Sequence, residues 1–321
     1  MANFILPTEE IEKLKPGFYE NVESRRYARL KAETPEGKVY NAINASVIKS
    51  LYPYKSWAIP AYARYAMETP REDTAALSFG RICHLALFER EEFDKLIVKP
   101  EFEVKTAKGD VPKNPKATTA YKQMESEWLK ANEGKDIVEK TDYEAALAAV
   151  KQCKESPKVN ALLERASYNE LTGVSTDAET GLVQKIRIDR FITIDGRPAI
   201  LDAKTTGQMF GALPDLFRQS IYEYKYHIQK AFYAKVVKEI MGLDEYPDSI
   251  IIVIETKGAR LVNAQYLDKD WITGGMKLVE KALRVFKKCI DTGEWPGYPQ
   301  MILQNAPLPY YFKDDQQLEP V

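Results

Sequence analysis

The spacing of apolar residues changes near Tyr168, from a helical period to an alternating one. Before that point, the pattern predicts a helix that begins near Asn44 or Ser46, since either side chain could cap it. It also predicts a buried helix over residues 74–93, a lysine-rich loop with a polar helix within 101–140, and a helix over about 141–165. The first half of the chain is therefore expected to be mainly helical.

Beyond Tyr168, three runs alternate between β-branched or apolar and polar residues, and turn residues separate them. These runs, NELTGVST, LVQKIRIDRFITI and PAILDAKTT, predict a three-stranded antiparallel meander. One long helix is expected over 215–242, then a fully buried strand over 249–256, another strand over 260–267 and a helix over 271–293. This order predicts an α/β fold with an N-terminal helical elaboration.

No internal repeat or shift in composition divides the chain. We therefore expect a polar, basic N-terminal segment over residues 1–40, one domain over 41–300 and a C-terminal tail over 301–321. With 321 residues, of which 45% are hydrophobic, the chain can bury a sizeable core. No apolar run is long enough for a membrane span, and the N-terminal stretch is too short and too acidic for a signal peptide. We expect a cytoplasmic protein.

Composition also excludes several chemistries. The three cysteines lie far apart, which argues against a disulfide framework, a CxxC zinc site or a four-thiolate iron–sulfur cluster. With only two histidines, a Ser-His-Asp hydrolase or a multi-histidine zinc site would need His84 or His227. The net charge of −1 gives no global indication of nucleic-acid binding.

One hairpin brings acidic residues together. Asp195-Gly196 between two β-patterned runs predicts a two-residue type I′ turn. That turn places Asp189 directly opposite Asp202, with Cβ atoms about 4.5–5.5 Å apart. Lys204 lies two residues beyond Asp202 and therefore points to the same face.

Two opposed carboxylates repel each other unless a cation lies between them. Carboxylate oxygens suit Mg²⁺ or Mn²⁺, and a neighbouring lysine can orient a water or neutralise charge on a phosphate. The alternative is a solvated hairpin face with an ordinary Lys–Asp pair, and a bulge near Pro198 would change the register. Gln229 and Tyr233 share one helix face, which is also typical of a half-buried amphipathic helix.

Four motifs follow one another in the chain: FGRICH over 79–84, KIRID over 185–189, LDAKTT over 201–206 and YHIQKAFY over 226–233. They resemble the GxxxH helix, first acidic strand, D-x-K core and QxxxY helix of the PD-(D/E)XK nuclease superfamily. Within it they are most similar to the phage recombination nucleases of the RecE (exonuclease VIII) and lambda-exonuclease type. NASVIK at 44–49 and WPGY at 295–298 resemble flanking landmarks of that group, so the resemblance spans about residues 40–300.

The resemblance implies a restriction-endonuclease-like fold, a mixed central sheet flanked by helices, with its nuclease core over about 168–266. It implies a Mg²⁺-dependent 5′-to-3′ exonuclease with two ions per active site, for which Mn²⁺ can substitute. Such an enzyme digests linear double-stranded DNA from its ends, releases 5′-mononucleotides and leaves a 3′ single strand for recombination in a bacterial host. It also implies a single-strand annealing protein as partner and a ring-shaped homo-oligomer, trimeric or tetrameric.

Carried over by position, the resemblance also implies a role for each site residue. The implied metal ligands are Asp189, Asp202, His84 and the backbone carbonyl of Ala203. Lys204 would position and activate the attacking water, and Gln229 and Tyr233 would orient the DNA strand or the lysine. Glu170 is implied less directly, either as a ligand of a second metal or as a contact to the DNA end.

The DNA-binding residues are less sharply defined. Ser46 and Lys49 begin a helix whose N-terminus could hold the 5′-phosphate, although a plain helix cap explains them equally well. Arg187 is a further DNA-binding candidate, whereas His227 is interpreted as a packing or surface residue. Two other functions stay open: a nuclease of the same fold with other polarity or endonucleolytic action, and a non-enzymatic DNA-end-binding module.

Overall fold

A computed structural model describes residues 4–53, 58–69, 79–106 and 108–298. Its centre is a six-stranded mixed sheet with the strand order β1-β6-β7-β8-β9-β10. The strands of this sheet are β1 (Gly17–Tyr19), β6 (Ser167–Thr176), β7 (Val183–Ile194), β8 (Arg197–Thr206), β9 (Asp248–Glu255) and β10 (Val262–Tyr266). Two short two-stranded sheets pair β2 (Lys31–Glu33) with β3 (Val39–Asn41), and β4 (Ile97–Lys99) with β5 (Ile137–Glu139).

The antiparallel meander predicted after Tyr168 is confirmed as β6, β7 and β8. Strand β9 then pairs with β8 in parallel, and β10 pairs with β9 antiparallel. The predicted mixed sheet is thus present. The segment predicted over residues 1–40 contributes the edge strand β1, which pairs antiparallel with β6. The Lys185 ammonium also ties this segment to β7, because it donates to the carbonyls of Tyr27 and Ala28.

The β7–β8 hairpin has the predicted turn and register. Asp195 and Gly196 adopt φ angles of 49° and 82°, as a type I′ turn requires at both central positions. Pairing runs from Ile194–Arg197 to Arg190–Leu201 without a bulge at Pro198. It ends one residue before Asp189 and Asp202.

The helices of the described chain cover both faces of the sheet. Helices α2 (Ala45–Leu51), α10 (Tyr226–Met241) and α11 (Lys269–Thr292) share one core cluster with Ile200, while α4 (Phe79–Phe88) and α7 (Lys140–Glu155) share another with Leu201. Neighbouring residues of β8 thus face opposite layers, as strand geometry dictates. The remaining helices are α1 (Ser24–Ala28), α3 (Pro60–Glu68), α5 (Arg90–Asp94), α6 (Thr119–Ala131), α8 (Pro157–Leu163) and α9 (Pro214–Glu223).

Three predicted helices are shorter in the structure than the sequence pattern suggested. The helix expected over 215–242 is two helices, because Lys225 adopts a left-handed conformation between α9 and α10. The helix expected over 141–165 breaks at Ser156, where Pro157 begins α8. The helix expected over 74–93 ends at Phe88, and α5 follows after Glu89; residues 74–78 lie outside the described part.

The other predicted helices are present as α2, α6 and α11. Asn44 rather than Ser46 caps α2, since its side-chain oxygen accepts a hydrogen bond from the Val47 amide. The tail predicted over 301–321 lies outside the described residues. Among the helices that the structure describes, none is long and apolar enough to cross a bilayer.

Candidate active site

Three acidic residues occupy one line across neighbouring strands. In the β6–β7 ladder, Asn169 pairs with Arg190 and Leu171 with Ile188, so Glu170 faces Asp189. Glu170 itself has a φ of 47°, a left-handed conformation that interrupts the ladder at this position. On the other side, the β7–β8 ladder ends at the pair Arg190–Leu201, and Asp189 and Asp202 are the next residue on each strand.

His84 reaches this row of acids from helix α4. Its Nε2 atom lies 3.3 Å from Glu170 Oε1 and 3.4 Å from Asp189 Oδ2, and its Nδ1 atom lies 3.4 Å from Glu89 Oε1. Gly80 in the first turn of α4 lies next to β8: a Cβ there would be in ordinary contact, 3.4 Å, with Thr205 Oγ1. The GxxxH spacing therefore places an imidazole among three carboxylates.

Asp202 is almost fully buried and meets two lysines. The Lys204 ammonium contacts Oδ2, and Lys230 Nζ lies 3.1 Å from Oδ1. Neither oxygen accepts a hydrogen bond of good geometry from the described residues. Lys204 was predicted beside Asp202, whereas no motif in the sequence singled out Lys230.

Aromatic residues and an amide of α10 complete this side of the site. The Tyr226 ring lies 5.2 Å from Lys204 Nζ, within cation–π range. Gln229 Nε2 lies 3.5 Å from the Tyr233 hydroxyl, so the two predicted residues do share one helix face. Tyr233 is buried, and Lys230 Nζ lies 5.9 Å from its ring.

The charges of the site are strongly coupled. Burial opposes ionisation of Asp189, but His84 and the two lysines outweigh it and hold its pKa below the usual range. Burial disfavours the charged form of His84, yet Asp189, Glu89 and Glu170 raise its pKa to about 11. These shifts describe the protein without metal, in which protonated His84 offsets part of the negative charge of the carboxylates around it.

The remaining acid and the two lysines respond differently to burial. Burial raises the pKa of Glu170 to about 7, and His84 only partly offsets this. Burial also opposes charge on Lys204, but Asp202 and Asp189 raise its pKa above the usual range. For Lys230, burial wins over the attraction of Asp202 and lowers the pKa.

These residues fit a divalent metal ion. Donor atoms of His84, Glu89 and Glu170 lie within 4.8 Å of one another. Asp189 contacts the same imidazole, and the buried oxygens of Asp202 lack hydrogen bonds. Carboxylate oxygens are ligands for hard divalent ions, and the imidazole adds one nitrogen ligand. Glu89 was not singled out from the sequence, because it follows the predicted motif and resembles an exposed helix charge.

A polar cleft of about 600 Å³ opens onto this cluster. Its lining includes His84, Glu89, Glu170, Ser24 and Arg187. The Arg187 guanidinium donates to Ser24 Oγ at 2.7 Å and to the carbonyl of Val22, and its Nε atom lies 3.6 Å from Glu170 Oε2. Arg187 thus lines the cleft beside Glu170.

The remaining residues predicted from the sequence are Ser46, Lys49, Ala203 and His227. Ser46 and Lys49 lie on α2 and are not among the residues that line the cleft. Ala203 lies on β8 beside Ile252 of β9, between Asp202 and Lys204 in the chain. His227 is buried, contacts the Ile221 carbonyl at 3.1 Å through Nδ1 and stacks on Tyr222, which agrees with the predicted packing role.

A mixed sheet that carries a D-x-K strand, flanked by helices that add a histidine and a glutamine, defines the restriction-endonuclease-like class of proteins. The family model described as "PDDEXK-like domain of unknown function (DUF3799)" matches residues 50–302. The chain therefore belongs to this PDDEXK-like family. A comparison with curated protein sequences gives no significant match.

One solved structure shares this fold over most of the chain. A protein from Eubacterium rectale, titled "Putative exonuclease", superimposes with a TM-score of 0.50 at 13% identity, over 86% of this chain and 93% of that chain. A protein titled SSO0001 gives a TM-score of 0.25 at 16% identity, over 44% and 60% of the two chains. VC1899 from Vibrio cholerae gives 0.19 at 13% identity, over 79% and 59%. At 13% identity the likeness to the Eubacterium rectale protein concerns the fold alone, and the description of the matching family is what supports a nuclease.

Proposed function

We propose that this protein is a metal-dependent nuclease that digests linear double-stranded DNA from its ends in the 5′-to-3′ direction. The observation that carries the proposal is the row of Glu170, Asp189 and Asp202 across three strands, with His84 on one side and Lys204 on the other. The products are 5′-mononucleotides and a 3′ single strand.

The acidic row and His84 would hold Mg²⁺, with the Ala203 carbonyl as a further ligand and Mn²⁺ as a substitute ion. Glu89 and Glu170 surround the same imidazole and are the side chains available for a second ion. A bound divalent ion supplies a polarised water and offsets the negative charge that develops on the phosphate.

The chain's own residues have distinct roles in this proposal. Lys204 Nζ, fixed between Asp202 and the Tyr226 ring, donates to the attacking water or the phosphate oxygen and keeps it aligned. Gln229 and Tyr233 sit on the same helix as the buried Lys230 and orient the strand near Lys204. Arg187, whose side chain lines the cleft, attracts the DNA phosphates with its positive charge.

The direction of digestion and the assembly rest on the resemblance to RecE-type nucleases. On that basis we propose a ring-shaped trimer or tetramer in the cytoplasm of a bacterial host, acting with a single-strand annealing protein. Ser46 and Lys49 remain candidates for the 5′-phosphate site. Light scattering at micromolar concentration tests the assembly, and a clean monomer would contradict the ring.

A defined duplex tests activity and direction together. A linear substrate with a 5′-phosphate and a label near one 5′ end is incubated with Mg²⁺, and the same sequence as a closed circle serves as control. We expect labelled mononucleotides early from the linear duplex and none from the circle. If the same duplex is labelled near a 3′ end instead, early release of that label would indicate the other polarity. Cutting of the circle would indicate an endonuclease. Binding to ends without release would favour the DNA-end-binding alternative.

A further inference from the structure

The second lysine at Asp202 is as deeply buried as the carboxylate that it meets. Lys230 exposes none of its side chain and Asp202 exposes 1%, and the contact between Nζ and Oδ1 measures 3.1 Å. Lys204 occupies the other oxygen of the same carboxylate. A single carboxylate therefore lies between two ammonium groups inside the protein.

Helix α10 fixes Lys230 in this position. Its neighbours Ile228, Ala231 and Phe232 are fully or almost fully buried in the core between the helices and the sheet. The ammonium therefore cannot turn outward to water without moving the helix. Removing an ion from water costs several kcal/mol unless a partner compensates it, and Asp202 is the carboxylate that Lys230 contacts.

A divalent ion at this site needs the same carboxylate. Two cations that share one anion weaken each other's binding, and this effect is reciprocal. Lys230 should therefore have opposite effects with and without metal: it compensates Asp202 in the metal-free protein and opposes the ion when metal is present.

We propose that Lys230 is a positioning residue that fixes the Asp202 carboxylate in the metal-free protein and lowers the affinity of the site for a divalent ion. The inference rests on the proposed function, because it takes Asp202 as a metal ligand. It assigns Lys230 no contact with DNA.

Two properties of purified variants test the proposal without any nuclease assay: the affinity for Mg²⁺ by calorimetric titration, and the midpoint of thermal unfolding in EDTA. Lys230→Met removes the charge and Lys230→Arg keeps it. Asp202→Asn removes the ligand. Lys235→Met is the matched control, since Lys235 is on the same helix but pairs with Asp177 at 2.7 Å.

For Lys230→Met we expect Mg²⁺ to bind about fivefold tighter or more, and the unfolding midpoint in EDTA to fall by roughly 5 °C. Lys230→Arg should stay closer to the parent protein in both properties. Lys235→Met should lower the midpoint without changing the affinity. Unchanged or weaker Mg²⁺ binding by Lys230→Met would overturn the inference.

Two further results separate the inference from the function on which it rests. If Asp202→Asn leaves Mg²⁺ binding unchanged, the metal site itself is wrong. If Asp202→Asn abolishes binding while Lys230→Met does not alter it, only the role of Lys230 is wrong. Should Lys230→Met fail to fold in EDTA, the double variant with Asp202→Asn should recover folding, because the buried charge that Lys230 compensates is then removed as well; continued failure would overturn the inference.

Discussion

Glu170 and Asp189 face each other on β6 and β7 at the position where the ladder between these strands is interrupted. Glu170 has a left-handed backbone there, and its carboxylate is drawn towards His84, with Oε1 3.3 Å from Nε2. Such a conformation costs a non-glycine residue about 1 kcal/mol or more. The strain is concentrated at the site where the carboxylates converge.

The raised pKa of Glu170 predicts a pH-dependent stability cost. Burial raises this pKa to about 7, so the folded chain binds more protons than the unfolded chain between about pH 4.5 and 7. The free energy of unfolding must then fall as pH rises through this window. In EDTA, Glu170→Gln should be more stable than the parent protein above pH 7, by at most about 3 kcal/mol, and show no such gain near pH 4.

Urea unfolding of both proteins at a series of pH values measures this difference. Glu164→Gln is a suitable control, because the Glu164 side chain is exposed. A stability difference between Glu170→Gln and the parent that does not change with pH would contradict the prediction.

His84 should be essential for metal binding. Because its imidazole contacts Asp189 and Glu170 together, His84→Asn should weaken Mg²⁺ or Mn²⁺ binding at least tenfold. Calorimetric titration measures the affinity directly. The control is His227→Asn, which should lower stability through loss of its contact with Ile221 but leave the affinity unchanged. Equal affinities of His84→Asn and the parent protein would exclude His84 as a ligand.

Two adjacent glycines of α11 should respond in opposite ways to alanine. A Cβ at Gly275 would collide with the His227 carbonyl oxygen and lie 2.8 Å from Ala231 Cβ. No described heavy atom lies within 4 Å of a Cβ at Gly274. Gly275→Ala should therefore destabilise the protein by about 1–3 kcal/mol, while Gly274→Ala should stabilise it by up to about 1 kcal/mol through helix propensity.

Chemical unfolding of the two alanine variants gives both values. This comparison tests the close contact of α11 with α10, the helix that carries Gln229 and Lys230. Similar stabilities of the two variants would show that the helices do not pack this closely.

The sequence predicted those parts of the structure that depend on local chemistry. Asp195 and Gly196 define a turn that only a few residue types adopt, and the turn alone determines the register of β7 and β8. The break at Lys225 was missed, because neither proline nor glycine marks it. The packing of α9 and α10 therefore imposes the left-handed conformation of Lys225.

Those contacts of the site were predictable that follow directly from the separation of two residues along one strand or helix. Lys204 follows Asp202 by two residues in one strand, so its contact with that carboxylate follows from strand geometry. Lys230 and Glu89 could not be found in this way. Lys230 reaches the site through the packing of α10, and Glu89 reaches it from the junction between α4 and α5. In the sequence each resembles an ordinary charged residue.

The most direct test of the account is hydrolysis of a linear 5′-phosphorylated duplex by the parent protein, Asp202→Asn and Lys204→Ala. Circular dichroism first shows that both variants are folded. The parent protein should release nucleotides with Mg²⁺ and none in EDTA, and each variant should lose at least about a hundredfold in rate. Activity that survives EDTA or either substitution would contradict the proposed site.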